Sequence, residues 1–65
     1  MTSKLISKGN RTVVINDQSK DNGIVWANLY VNTRNGLENG DITLTRWEGK
    51  TVNGAEKWAE KVLNS

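Results

Sequence analysis

The sequence predicts an α+β fold, an antiparallel β-meander of three to four strands with one C-terminal amphipathic helix packed on one face. Two observations lead to this prediction. Runs of β-branched and aromatic residues alternate with polar residues over most of the chain, and turn-forming residues separate them. After Lys50 the apolar residues instead recur with the spacing of one helix face. With 65 residues, the chain has room for a single domain, 1–65.

The first two strands are predicted at 3–8 and 11–16. They flank Gly9 and Asn10, and such a pair between two β-prone runs is typical of a two-residue hairpin. The polar, turn-forming residues 17–23 then predict a loop. Whether the first strand pairs within the chain or swaps with a neighbouring molecule is left open by the sequence, because a short edge strand permits both.

The third strand is predicted at 24–34, where β-branched and aromatic residues are most frequent. Successive side chains of a strand point to opposite faces, so this segment has one apolar face and one mixed face. The apolar face is expected in the core and consists of Val25, Ala27, Leu29 and Val31. The outward face consists of Trp26, Asn28, Tyr30, Asn32 and Arg34.

The fourth strand is predicted at 42–47, after a polar connection that contains the Asn-Gly pairs at 35–36 and 39–40. The alternation of this strand predicts that Ile42 and Leu44 point inward. It predicts that Thr43, Thr45 and Trp47 point outward.

The last element is predicted to be a helix at 52–63, with an apolar stripe that includes Trp58. Thr51 or Asn53 is suited to cap its N-terminus, and Asn64 is suited to its C-cap. Trp58 is interpreted as a core residue. The whole predicted core is Val13, Ile15, Val25, Ala27, Leu29, Val31, Ile42, Leu44, Ala55, Trp58, Ala59 and Val62.

Composition argues against an enzyme. The chain has neither Cys nor His, which removes disulfides, thiolate metal sites and the usual acid–base residue at neutral pH. Gly49, Lys50 and Thr51 match the end of a phosphate-binding loop, but Leu44 stands where its first glycine is required. We therefore expect no catalytic residues, no cofactor and no metal site. The N-terminus lacks a signal-peptide pattern, which leads us to expect a cytoplasmic protein without membrane contact.

The outward face of the meander is the candidate binding surface. Aromatic rings stack on bases, amides hydrogen-bond, and cations contact phosphates, so the leading hypothesis is nucleic-acid binding with marked salt sensitivity. Its stacking residues would be Trp26, Tyr30 and Trp47, and its hydrogen-bonding residues Asn28 and Asn32. Its phosphate contacts would be Lys8, Arg11, Arg34, Arg46 and Lys50.

Two alternatives use the same residues. The first is a small protein-binding or inhibitory module, of the kind that phages and mobile elements encode, which uses the same face either as a monomer or as a homodimer. The second is that the aromatics only shield the sheet and pair across strands. The net charge of +2 does not separate these hypotheses.

The order of elements resembles two nucleic-acid-binding groups in topology over residues 4–63. Residues 26–31 and the helix start at 51–58 are similar to the three-strand-plus-helix module of ethylene-response-type factors and integrase N-terminal arms. Residues 40–44 resemble the last strand of the four-strand-plus-helix coactivator-type single-strand binders. This chain has fewer sheet arginines than the first group, and residues 46–53 are additional to the second, so no site residue is transferred.

Overall fold

A computed structural model describes residues 2–33 and 40–64, without the side chain of Thr2. These residues form an antiparallel sheet with the strand order β1-β2-β3-β4 and one helix, which confirms the α+β fold and gives four strands in the described part. The elements are β1 (Thr2–Lys8), β2 (Arg11–Gln18), β3 (Ile24–Val31), β4 (Asp41–Gly49) and α1 (Val52–Leu63).

The predicted hairpin between β1 and β2 is confirmed. Lys8 pairs with Arg11, so Gly9 and Asn10 are the two turn residues, and Gly9 has a φ of 63°. A positive φ at the first turn residue alone is the pattern of a type II′ turn, which favours Gly there. β1 therefore pairs within the chain along its whole length.

β2 extends two residues beyond the predicted end at 16, because its pairing with β3 continues to Gln18 and Ile24. The Gln18 carbonyl then accepts the N–H groups of Asp21 and Asn22 at 3.0 and 2.9 Å, which folds the connection into a compact turn.

β3 ends at Val31, three residues before the predicted end at 34. Asn32 adopts a left-handed φ of 56°, which breaks the extended conformation. The next residue, Thr33, donates its N–H to the carbonyl of Asn10 at 2.8 Å and so lies beside the turn of the β1–β2 hairpin. The predicted site residue Arg34 and the turn pair Asn35-Gly36 lie outside the described residues.

α1 covers one face of the sheet and forms the core with it. The cluster of buried side chains consists of Val13, Ile15, Val25, Ala27, Leu29, Ala55, Ala59 and Leu63. All but Leu63 were predicted core residues. Trp58 and Val62 are partly buried and pack against this cluster, and Val31 is partly exposed. The three core alanines let the helix approach the sheet closely.

The predicted inward and outward sides of β4 are wrong. Ile42 is 62% exposed and Leu44 is 99% exposed, whereas Trp47 packs against the core. The register explains the reversal, because Trp47 pairs with the buried Ala27, and paired residues of antiparallel strands share a face. Trp47 and Gly49 therefore form the helix side of β4.

A bulge interrupts β4 before this regular part. Between the pairs Asn28↔Arg46 and Tyr30↔Ile42, the three residues 43–45 lie opposite the single residue Leu29. The Thr43 hydroxyl donates to the Leu29 carbonyl at 2.9 Å and accepts the Thr45 N–H at 3.1 Å, so side-chain hydrogen bonds replace the missing ladder.

Both caps of α1 are among the predicted residues. The Thr51 hydroxyl accepts the N–H of Gly54 at 3.1 Å, which makes Thr51 the N-cap. At the other end, Asn64 donates its backbone N–H and its side-chain amide to the Glu60 carbonyl at 3.1 and 2.8 Å.

Candidate binding face of the sheet

The face of the sheet turned away from α1, which we call the open face, is a grid set by the strand registers. Three rows cross the four strands. They are Ser3–Asn16–Trp26–Glu48, Leu5–Val14–Asn28–Arg46 and Ser7–Thr12–Tyr30–Ile42. The aromatic residues Trp26 and Tyr30 lie in the outer two rows, on the same strand. Within these rows, Arg46 and Glu48 are the charged residues, so their charges balance.

The centre of the open face is closely packed although no helix covers it. Val14 is only 9% exposed. Its direct neighbours across the strands are Leu5 and Asn28, and its diagonal neighbours on β3 are Trp26 and Tyr30. Side chains of the open face therefore cover Val14, and the partly exposed Trp26 and Tyr30 border an apolar centre.

Three hydroxyl groups are linked by hydrogen bonds at one end of the open face. Thr12 is fully buried, and its hydroxyl hydrogen-bonds with those of Ser7 at 2.8 Å and Thr33 at 2.9 Å. Thr33 follows the end of β3 and is 5% exposed. Its buried hydrogen bond to Thr12 holds it against the β1–β2 hairpin.

Two neighbouring depressions run along the β3–β4 side of the open face and share Asn28 and Arg46. The first has a volume of about 360 Å³ and is lined by Ile24, Trp26, Asn28, Arg46, Trp47 and Glu48. The second has a volume of about 430 Å³ and is lined by Asn28, Ile42, Thr43, Leu44 and Arg46. The shared lining residues place the two depressions next to each other, and the exposed Leu44 of the bulge lines the second.

Two of the predicted phosphate contacts lie on the helix side instead. Arg11 pairs with Val31 and points toward the C-terminus of α1, where its guanidinium donates to the carbonyls of Val62 at 3.2 Å and Leu63 at 2.7 Å. Lys8 shares the face of Arg11, and its ammonium donates to the side-chain oxygen of Asn64. Both cations contact the C-terminal end of α1, where the helix dipole places partial negative charge.

The other predicted site residues are dispersed. Trp26, Asn28 and Tyr30 lie on the open face as predicted, and the reversed orientation of β4 brings Arg46 there as well. Lys50 lies in the connection between β4 and α1, and Asn32, beyond the end of β3, donates its amide to the Asp41 carboxylate at 3.3 Å. Trp47 lies on the helix side, so its predicted outward position is wrong. The open face thus keeps two of its three predicted aromatics and one of its predicted cations within the described residues.

Four apolar residues lie on or beside the open face although the sequence did not predict them there: Leu5, Val14, Ile42 and Leu44. The positions of Leu5 and Val14 could have been predicted, because a two-residue turn at Gly9 and Asn10 fixes their pairing. Ile42 and Leu44 were noticed but assigned to the wrong side.

The structure shifts the titration of Asp17, near the end of β2. Hydrogen bonds from the Ser19 side chain and then from its backbone N–H, at 2.9 Å, hold the pKa of Asp17 below its ordinary value. Within the described ranges, no three His, Cys, Asp or Glu side chains converge closely enough for a metal ion. The one helix among the described residues lacks the length and apolar character that a membrane span requires.

The fold and the open face define a small α+β domain with a four-stranded sheet that is covered by a helix on one side. Compared with known proteins, the chain matches no family model, no curated protein and no solved structure. The chemistry of the open face therefore carries the functional argument.

Proposed function

We propose that this protein is a protein-binding module that holds its partner on the open face. One observation carries the proposal: the exposed aliphatic residues Leu5, Ile42 and Leu44 lie on or beside the face that also bears Trp26 and Tyr30. The reversed orientation of β4 favours protein binding over nucleic-acid binding, because it exposes Ile42 and Leu44.

The aliphatic residues extend the apolar centre of the open face toward both edge strands, β1 and β4. Leu5, 49% exposed on β1, lies beside Val14, while Ile42, 62% exposed on β4, lies beside Tyr30. Single exposed aliphatic residues are ordinary, but several around a packed aromatic centre are typical of a docking surface. Leu44, 99% exposed, adds a further aliphatic side chain that lines the second depression.

The polar groups of the open face indicate the chemistry of the partner. Asn16 and Asn28 offer amide hydrogen bonds beside the apolar centre, and Arg46 and Glu48 place one charge of each sign on β4. Such a surface suits a polypeptide that presents aliphatic or aromatic side chains and little net charge. It does not select a strongly charged partner.

Nucleic-acid binding is the second candidate, and a specific observation favours it. Trp26 and Tyr30 lie on one strand with Asn28 between them, an arrangement suited to stacking unpaired bases. In the described part of the open face, however, Arg46 is the one predicted phosphate contact that remains. One neutralised phosphate gives a salt slope of only about −0.7 for single strands. This candidate therefore requires stacking to supply most of the affinity.

A paired experiment tests the proposal. In the first arm, proteins retained on the immobilised wild type after nuclease treatment are identified, purified and titrated against the wild type, the double variant Ile42→Ser and Leu44→Ser, and the control Lys57→Ser. Both substituted aliphatic residues are exposed, so the fold should persist. We expect a purified partner to bind the wild type and the control alike, at about 50 and about 500 mM salt, and to bind the double variant at least about tenfold more weakly.

In the second arm, single-stranded and duplex oligonucleotides are titrated against the Trp fluorescence of the wild type and of Trp26→Ala. Saturable quenching that Trp26→Ala abolishes, together with no purified partner in the first arm, would replace the proposal with the second candidate.

A further inference from the structure

The outer edge of β4 carries a pattern that is complementary to itself. We propose that a second copy of this chain pairs with this edge as an antiparallel strand centred on Trp47, so that two sheets join into one. The partner is identified by the charges of β4 and by the contrast between the two edges of the sheet.

β4 ends the sheet, and no strand among residues 2–33 and 40–64 pairs with its outer side. Its register with β3 is regular over 46–49 and is interrupted by the bulge before Arg46. Since the Thr45 N–H is bonded to the Thr43 hydroxyl, the regular edge begins at Arg46. An uncovered edge of this kind is a template for another strand.

The side chains on this regular edge fix the partner and the register. Arg46 and Glu48 are exposed on the same face, two residues apart, with Trp47 between them on the other face. When two copies of β4 pair antiparallel about Trp47, Arg46 of each copy lies opposite Glu48 of the other. Two cross-strand pairs of opposite charge result, an arrangement that stabilises antiparallel strands. Within the described part of each chain, neither residue has an ion-pair partner.

The opposite edge of the sheet, β1, carries charges that disfavour pairing with a second copy. Lys4 and Lys8 lie two residues on either side of Ile6, so a symmetric pairing of two β1 strands about Ile6 places lysine opposite lysine. Like charges at such positions are destabilising, and edge lysines are a common protection against strand addition. Lys4 is moreover paired with Glu56 of α1 at 3.0 Å. Of the two edges, β4 is the one suited to a second copy.

This pairing shares Arg46 and Glu48 with the proposed binding face but uses none of its apolar residues. It uses the backbone edge of β4 and two side chains on its rim, and it leaves Leu5, Val14, Trp26 and Tyr30 uncovered. The open faces of the two copies would lie side by side on one continuous sheet, to which the described part of each copy contributes four strands. The double variant Ile42→Ser and Leu44→Ser leaves Arg46 and Glu48 in place, so loss of partner binding through the apolar residues can be measured with the dimer intact.

Sedimentation velocity over about 10 μM to about 1 mM protein tests the pairing, since so short a paired run gives a weak dimer. Arg46→Glu places like charges opposite each other twice, and so does Glu48→Arg. We expect each to weaken the dimer about tenfold or more, and the double exchange Arg46→Glu with Glu48→Arg to restore it. Lys57→Glu, a charge reversal at an exposed position on α1, is the matched control and should leave the dimer unchanged.

Circular dichroism of each variant establishes that a changed mass does not reflect unfolding. A wild type that stays monomeric over the whole concentration range would overturn the proposal. So would single reversals that dimerise like the wild type, or a double exchange that stays as weak as the single variants.

Discussion

Trp47 lies against Gly49 so closely that a β-carbon at Gly49 would fall 2.3 Å from the indole Cη2 atom. The same ring approaches Gly54 in the first turn of α1, where a β-carbon would fall 3.0 Å from its Cζ2 atom. The two glycines thus form the space that admits Trp47 beneath the helix. This packing decides which side of β4 faces the core and which side faces solvent.

Gly49→Ala should therefore destabilise the protein. The indole is confined by the core cluster and by α1, so it cannot move aside freely, and overpacking of this kind costs about 1–3 kcal/mol. Urea denaturation measures the change. In a Trp47→Leu background the same substitution should cost much less, because the clashing ring is gone. A stabilising Gly49→Ala would contradict the packing described here.

Arg11 should contribute to stability through the C-terminus of α1. Arg11→Met keeps the aliphatic stem and removes the hydrogen bonds to the carbonyls of Val62 and Leu63. We expect a loss of about 1–2 kcal/mol in the free energy of unfolding. Lys57→Met, on an exposed position of the same helix, is the matched control and should change stability by less than about 0.5 kcal/mol. Equal effects of the two substitutions would rule out the capping role.

The buried hydroxyl pair of Thr12 and Thr33 should show coupled energetics. Thr12→Val leaves the Thr33 hydroxyl buried without this partner, and an unpaired buried polar group costs about 1–3 kcal/mol. Adding Thr33→Val removes the orphaned hydroxyl, so the double variant should be less destabilised than the sum of the single variants. Thermal denaturation of all three variants measures this coupling, and strict additivity would contradict it.

Asp17 should make the stability of the β2–β3 turn depend on pH. Its folded-state pKa is lowered by the Ser19 hydrogen bonds, so its contribution is present above the unfolded-state pKa of about 3.9 and is lost as the pH falls through the folded value. Relative to Asp17→Asn, the wild type should be more stable near neutral pH, and this advantage should shrink below about pH 4. Melting temperatures of both proteins from about pH 2 to about pH 7 test the prediction. An unchanging difference would refute it.

The backbone elements could be predicted because their signals are local. The Gly9-Asn10 turn, the alternation of Val25, Ala27 and Leu29, and the helical recurrence of Ala55 and Ala59 each depend on a few neighbouring residues. The cap residues Thr51 and Asn64 are equally local. These features gave the fold class, the helix bounds and most of the core.

The orientation of β4 could not be predicted in the same way. Alternation at 42–47 places Ile42 and Leu44 on one side and Trp47 on the other, and both sides contain an apolar residue that could be buried. The choice depends on Gly49 and Gly54, which make room for the indole, and on the register with β3. Likewise, the engagement of Arg11 with α1 depends on how the helix end lies over β2, a tertiary relationship that no local pattern contains.

Both the proposed binding face and the edge pairing require that β4 presents Ile42 and Leu44 to solvent and packs Trp47 against the core. Nuclear magnetic resonance with a soluble paramagnetic relaxation agent tests this claim directly. The Ile42 and Leu44 methyl signals should be strongly attenuated, whereas the Trp47 ring should be less affected and should show nuclear Overhauser contacts to Gly54. Protected Leu44 methyls, together with a strongly attenuated Trp47 ring that lacks contacts to α1, would contradict it.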